Sequence, residues 1–379
     1  MRVLLASNYQ PPHMGGIEFA AEALKQCWER AGHKVTWITT DIPRGTRPLT
    51  ADNIRIPAWN FAEDLWEINT PLIHPSAYPE LLRQVRAHDV VSTHSLAPGL
   101  ATVVLHAAVR NHKPTVVTQH VGVIPMPSRL LSVIQKHVNC HAANWCARHD
   151  VPITFVGEAV RKWFADHTTL RADRTFMTPA GINAHTYYFV PDEERVALRG
   201  KWKLRDDQYN VLFVGRFYEK KGMPLMREVA KRCPDIQFSF RGHGPIDPAK
   251  WGLPNVHVIG YVSDVELREL YGSFDVCIMP SIGEGWPAVI PQAMACGLGC
   301  LISPETFAGH NRDPEQFLIC RRDPEAMADI LRRAARKEIA LLKHRAALSE
   351  YSRSQWDWDR TAEIYLELFQ KEIAKTIPR

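Results

Sequence analysis

The feature that most limits what this chain can become is a series of short β-rich runs, several of them apolar on both faces, each followed by an amphipathic stretch. The series starts at the amino terminus and restarts after residue 205. Runs such as RVLLAS, NVLFVG and VCIMP carry no polar face, so they suit strands buried on both sides rather than half-exposed hairpins. The pattern predicts strands at Val3–Ser7, Lys34–Thr40, Asp89–His94, Pro114–Thr118 and Pro152–Val156, with helices around 17–31, 76–87, 97–111 and 127–148. Later strands are expected at Asn210–Gly215, Ile236–Arg241, Val256–Tyr261, Asp275–Pro280, Gly299–Ser303 and Phe317–Cys320, with helices near 222–232, 264–273, 291–297 and 323–336. Strands alternating with helices imply parallel βαβ units. The expectation is an α/β chain of two Rossmann-like domains, at 1–190 and 205–355, facing each other across a deep cleft, with ligands outside the carboxyl ends of the strands. The polar stretch PDEERVALRGKWKLRDDQ marks the boundary, near 185–208. A last helix, about 356–379, has one apolar stripe at 362, 365, 366, 369 and 373 and is expected to cross back onto the body.

Composition narrows the classes further. With 379 residues, 45% hydrophobic and 23% charged, the chain is neither disordered, fibrous nor a disulfide mini-scaffold. A net charge of +5 does not argue for nucleic acid, and no basic face with interleaved aromatics stands out. The eight cysteines are scattered without a Cys-x-x-Cys pair, which speaks against a zinc site and for reduced core thiols of a cytosolic protein. The start, MRVLLASNYQPP, is too short for a signal peptide, and no apolar run approaches the roughly 20 residues that span a bilayer. The expected location is cytoplasmic, at most peripheral at the inner face of the plasma membrane.

Three motifs bear chemistry. GRFYEKKG, 215–222, sits where a strand ends and a helix begins. Arg216 offers a planar fork of donors and Lys221 a compact charge, both suited to a diphosphate, and the following helix adds its positive end. Two solvated surface cations would read the same way locally. PSIGEGWPAVIPQAMACG, 280–297, places Glu284 just past a strand end, where ligands of open α/β sheets are touched; a plain surface-loop glutamate is the other reading. In PPHMGGIE, 11–18, Gly15 and Gly16 let backbone approach a ligand at a helix start. The Gly-x-Gly-x-x-Gly fingerprint is absent there, which counts against a nicotinamide cofactor.

Together with DVVSTHSLAPG (89–99), VVTQH (116–120), FVGEAV (155–160), TPAGIN (178–183), RGHGP (241–245) and GYVSDVELRELYGSFDVCIMPS (260–281), these segments resemble the family-4 retaining glycosyltransferases of GT-B architecture. The resemblance implies that Arg216 and Lys221 bind the donor diphosphate, that Glu284 contacts the transferred sugar, and that Gly16, beside Gly15, lies near the phosphates. It places Gly285, Trp286, Ala288 and Gln292 in the donor site and His120 towards the sugar; His94 resembles a recurrent position with a structural role. It implies a metal-independent hexosyltransferase that takes a nucleoside diphosphate sugar and a glycan or polyprenyl-diphosphate-linked glycan, in envelope or exopolysaccharide assembly, with no cofactor. A nucleotide-sugar epimerase and a weakly active or non-catalytic sugar-nucleotide binder are the alternatives. Two departures stand out. Gln292 replaces the family's second glutamate, which accepts from the ribose, and a neutral acceptor costs donor binding ~1 kcal/mol. Pro287 has no N–H to give a phosphate, so Ala288 is the next candidate, and Pro291 is expected to delay the helix start. The single Asp-x-Asp triplet, Asp357-Trp358-Asp359, reads as a helix cap rather than a metal site.

Between Asp89 and Asp150 there is no acidic residue, while Arg110, Lys113, Arg129, Lys136 and Arg148 lie within it. The helix at 127–148 has an apolar stripe through Leu130, Ile134, Val138, Ala142 and Trp145. A basic amphipathic helix of this kind suits an anionic membrane, or else an ordinary core-facing position.

Overall fold

The computed structural model describes residues 1–11, 16–42, 52–60, 70–122, 128–282, 286–339 and 345–376. The chain divides into two compact units, Met1–Ala180 with Trp358–Arg379, and Gly181–Asp357.

The first unit is built on β1 (Arg2–Ser7), β2 (Lys34–Thr40), β3 (Asn53–Ile56), β6 (Val90–His94), β7 (Thr115–Gln119), β8 (Ile153–Phe155) and β9 (Thr175–Met177), with β4 (Ala58–Trp59) and β5 (Leu72–Ile73) forming a separate two-stranded ribbon. The seven strands lie in the order β3-β2-β1-β6-β7-β8-β9, all parallel. The all-apolar runs explain this: in β1, Val3 and Leu5 enter one core layer and Leu4 and Ala6 the layer on the opposite face. The first layer is completed by the helix Trp358–Thr376, whose Tyr365 and Phe369 meet the indole of Trp28 edge-on, at 5.6 and 5.2 Å between ring centres. The predicted last helix therefore packs on the first sheet. Asp359 in its first turn pairs with Arg30 at 2.6 Å, at the carboxyl end of the helix Gly16–Arg30.

The second unit is built on β10 (Tyr209–Val214), β11 (Ile236–Arg241), β12 (Val256–Ile259), β13 (Val276–Met279), β14 (Cys300–Ile302) and β15 (Leu318–Ile319). Their order is β12-β11-β10-β13-β14-β15, again all parallel. Val211 and Phe213 face one layer of helices, Leu212 and Val214 the other. The charged stretch around 185–208 holds a helix, Asp192–Lys201, with three acids in its first turn and Arg199 and Lys201 in its last. Arg199 is buried because Asp206, Asp275 and the Ser273 carbonyl surround its guanidinium. All eight cysteines are free thiols, and seven of them are buried. No helix among the described residues is long and apolar enough to cross a membrane.

Candidate functional site

In the second unit the strand order reverses between β10 and β13, and open parallel sheets take their ligands at such a point, outside the carboxyl ends of the strands. The loops after β10, β11 and β13 emerge there side by side. Gly215 N–H donates to the Arg241 carbonyl at 3.0 Å, Phe217 N–H to the His243 carbonyl at 2.7 Å, and Ile246 N–H to the Phe217 carbonyl at 3.1 Å. The loops lie so close that a Cβ on Gly242 (φ +153°) would stand 1.8 Å from the Gly215 carbonyl oxygen. On the other flank Ile282 N–H donates to the Lys220 carbonyl at 2.8 Å. Gly222 (φ +82°) has no room for a side chain, because a Cβ would meet the Pro280 carbonyl oxygen and Cγ at 2.7 Å. The GRFYEKKG backbone is thus wedged between its two neighbours, and the motifs at 215–222 and 280–297 are joined.

The cations ride on this fixed backbone. Arg216 is exposed, its guanidinium carbon 5.4 Å from the centre of the Tyr218 ring, and among the described residues it enters no ion pair. Lys221 is half-buried and ends a single 3-10 turn, Glu219–Lys221. Gly222 then caps the helix Met223–Arg232, whose open amide groups add positive potential at the same end of the sheet.

Glu284 and Gly285, and Gly15 in the first unit, lie outside the described residues. Trp286 is half-buried against Trp356 and His310, with ring centres 5.8 and 4.4 Å away. The helix that follows spans Val289–Ala295, two residues earlier than Pro291 led us to expect. Proline is tolerated in a first turn, and the Pro287 carbonyl that Pro291 cannot serve accepts from Ile290 N–H at 3.0 Å instead. Ala288 is exposed at the amino end of this helix. The side-chain oxygen Oε1 of Gln292 accepts from the Tyr271 hydroxyl at 3.3 Å. Neither Tyr271 nor the glycine pair around His243 stood out in the sequence as part of the site; RGHGP was visible as a motif, but its wedging role needs the neighbouring loop.

In the first unit Gly16 opens the helix Gly16–Arg30, and among the described residues a Cβ added to it would meet nothing within 4 Å. His120 follows β7 and His94 ends β6. Both are buried, and Nδ1 of His94 lies 2.9 Å from Nε2 of His120. Burial lowers the His120 pKa from 6.5 to about 4. Burial, and then the neighbouring imidazole, push His94 well below its ordinary value. Both rings are therefore neutral at neutral pH. Among the described residues, Nδ1 of His120 makes no hydrogen bond and the buried Nε2 of His94 has no partner. Beside the pair, the Tyr365 hydroxyl meets those of Thr118, Thr154 and Thr178 at 2.7, 3.1 and 3.1 Å.

The chain matches two family models: residues 14–186 match Glycosyltransferase Family 4, and residues 208–337 match Glycosyl transferases group 1. The chain belongs to the family-4 glycosyltransferases. This glycosyltransferase is 22% identical to alpha-monoglucosyldiacylglycerol synthase of Acholeplasma laidlawii over an alignment of 404 positions that covers 99% of both chains. Its fold is similar to that of sucrose-phosphate synthase from Thermosynechococcus elongatus, with a TM-score of 0.77 at 18% identity over 99% of this chain and 100% of that one. It is also similar to Anabaena HepE in complex with UDP-glucose, with a TM-score of 0.75 at 14% identity over 98% and 100% of the two chains. The glycosyltransferase thus has the GT-B fold, two Rossmann-like halves with parallel sheets, as the alternating pattern predicts.

Proposed function

We propose that this glycosyltransferase moves a hexose from a nucleoside diphosphate sugar to a glycan or lipid-linked glycan, with retention at the anomeric carbon and without a metal ion. The observation that carries the reading is the backbone wedge that presents Arg216 and Lys221 at the switch point of the second sheet. Charge accumulates on the bridging oxygen of the diphosphate as the glycosidic C–O bond breaks. Two cations held by a pre-formed loop lower that barrier without reorganising, which is electrostatic transition-state stabilisation. The acceptor hydroxyl approaches on the face the diphosphate leaves. Its oxygen bonds to the anomeric carbon, and its proton passes to the departing phosphate oxygen, so no protein base is required. His120, neutral because it is buried, serves as a hydrogen-bond partner for a sugar hydroxyl rather than as an acid. The Anabaena neighbour, solved with UDP-glucose, supports a nucleotide sugar as donor.

The test is a thermal-shift screen against UDP-, GDP-, ADP- and TDP-sugars, followed by turnover of the stabilising donor with and without EDTA. A ligand that binds only the native state raises the melting temperature by mass action, and a saturating donor about 100 times above its Kd stabilises by about 2.7 kcal/mol. No shift with any of the four bases refutes the donor reading; abolition of turnover by EDTA refutes metal independence.

The acceptor end of the reading rests on the helix Arg129–Arg148. Its carboxyl half buries Asn139, Ala143 and Cys146, whereas in the amino half Leu130, Val133 and Ile134 are 69%, 51% and 47% exposed. Arg129 and Lys136 are exposed on the same half. Apolar side chains beside cations, in a stretch without carboxylates, fit the surface of an anionic membrane and a lipid-linked acceptor. The Acholeplasma relative is named for a diacylglycerol product, in keeping with this. The expected result is co-flotation with phosphatidylglycerol vesicles that falls at about 0.5 M salt, where screening is nearly complete. It should also fall in the Leu130→Asp, Ile134→Asp double variant. Flotation unchanged by both, or absent altogether, removes membrane contact from the reading.

A further inference from the structure

We propose that Tyr271 fixes the polarity of the Gln292 side chain, so that the donor's ribose meets a hydrogen-bond donor, the amide NH2, where a glutamate would present an acceptor. The inference rests on the donor-site reading above. It follows from how the helices Asp264–Ser273 and Val289–Ala295 pack over one face of the second sheet.

Tyr271 is fully buried, with Tyr187, Cys277, Cys296 and Cys300 around it. Burial first, then these neighbours, holds its hydroxyl well above the ordinary phenol range, so the proton stays on the oxygen. A buried O–H needs an acceptor. Among the described residues this hydroxyl has one partner, Oε1 of Gln292 at 3.3 Å. Turning the amide over would set its NH2 against the tyrosine and leave the O–H proton with nowhere to go. The tyrosine therefore selects one orientation, with Oε1 inward.

Gln292 is half-buried, and its Nε2 makes no hydrogen bond among the described residues. That nitrogen is the end left for a ligand, and an amide NH2 can only donate. The loss of charge at this position is thus accompanied by a change of sign in the hydrogen bond. A carboxylate in the same place would give one oxygen to Tyr271 and the other to the ligand, which must then supply a hydroxyl proton. The amide asks the ligand for a lone pair instead. Tyr271 touches no substrate in this scheme and acts as a positioning residue.

The experiment is calorimetric titration with UDP and GDP and with the 2′- and 3′-deoxyfluoro analogue of each, since fluorine can accept weakly but cannot donate. In the Gln292→Glu variant the affinity ratio of parent to analogue should exceed the wild-type ratio by about tenfold or more at one ribose position, because a charged hydrogen bond is lost. Tyr271→Phe frees the amide to turn, and the ratio should move from the wild-type value towards that of Gln292→Glu. A purely structural tyrosine would weaken parent and analogue alike and leave the ratio unmoved. Equal ratios in wild type and Gln292→Glu, or an unmoved ratio in a folded Tyr271→Phe protein, overturn the proposal. If Tyr271→Phe does not fold, the comparison of wild type with Gln292→Glu decides alone. Failure of both parent nucleotides to bind overturns the donor-site reading, and this inference with it.

Discussion

Replacing Arg216 or Lys221 by alanine is expected to lower kcat/KM for the donor sugar by about a hundredfold or more each, the usual consequence of removing one preset group that meets developing charge. For Arg216→Ala the melting temperature should stay within about 2 °C of wild type, because substitutions of exposed side chains away from special backbone features seldom cost more than about 0.5 kcal/mol. The structure separates the two effects. Arg216 contributes a cation–π approach to Tyr218 and no ion pair among the described residues, while the loop is held by backbone bonds to Arg241, His243 and Ile246 that its side chain does not make. Arg216→Lys should recover part of the loss, since it restores charge but not the planar fork that grips two phosphate oxygens. Steady-state kinetics on the donor identified by the thermal screen, with scanning calorimetry of the same samples, are the measurements. Wild-type turnover in both alanine variants would remove the diphosphate from this loop.

A second large effect is expected from acid. His120 in the first unit and His310 in the second are both buried, with pKa values lowered by burial from 6.5 to about 4 and about 3. His94, against His120, shifts in the same direction. Among the described residues the groups facing His310 are the rings of Trp286, Phe317 and Trp356, none of which offers a carboxylate to offset a charge. Each histidine is neutral when folded and takes up a proton when unfolded, so the unfolded state binds more protons once the pH drops through about 6.5. Stability is therefore full above that value, falls as the pH decreases, and stops falling below the folded pKa. Between about pH 8 and about pH 5 each of these two histidines should cost its unit about 2 kcal/mol, or a melting point lower by about 4–8 °C for units of this size. His310→Phe, which keeps an aromatic ring in the cage and cannot titrate, should flatten the dependence of the second unit. Melting curves with the same midpoint at both pH values would show that these imidazoles are not held neutral.

The sequence was most informative where a strand is buried on both faces. Lys34–Thr40 and Ile236–Arg241 have the bounds that their apolar runs predict, and the remaining central strands agree to within a residue or two. The edges were harder. Asn53–Ile56 and Thr175–Met177 are half-buried and partly polar, so nothing in them separates an edge strand from a loop. The helix Asp192–Lys201 was hidden because its anchoring residue is an arginine: Arg199 reads as solvated until Asp275, far along the chain, is seen beside it. The site divides in the same way. Arg216 and Lys221 could be singled out because a strand end followed by a helix start is a local pattern. The reasons for Gly222 and Gly242 lie in Pro280 and in Gly215, and the orientation of Gln292 depends on a tyrosine one helix away. Such partners are set by packing, which no local window contains.

The first unit is discontinuous: its sheet is made from the opening part of the chain, yet Tyr365, Leu368 and Phe369, which seal one side of that sheet over Trp28, come after the whole of the second unit. A ribosome delivers those residues after every residue of the second unit. The growing polypeptide must carry an unsealed apolar face until then, while the second unit has all of its own residues earlier. A translation stop anywhere short of residue 358 thus leaves the indole of Trp28 without its lid.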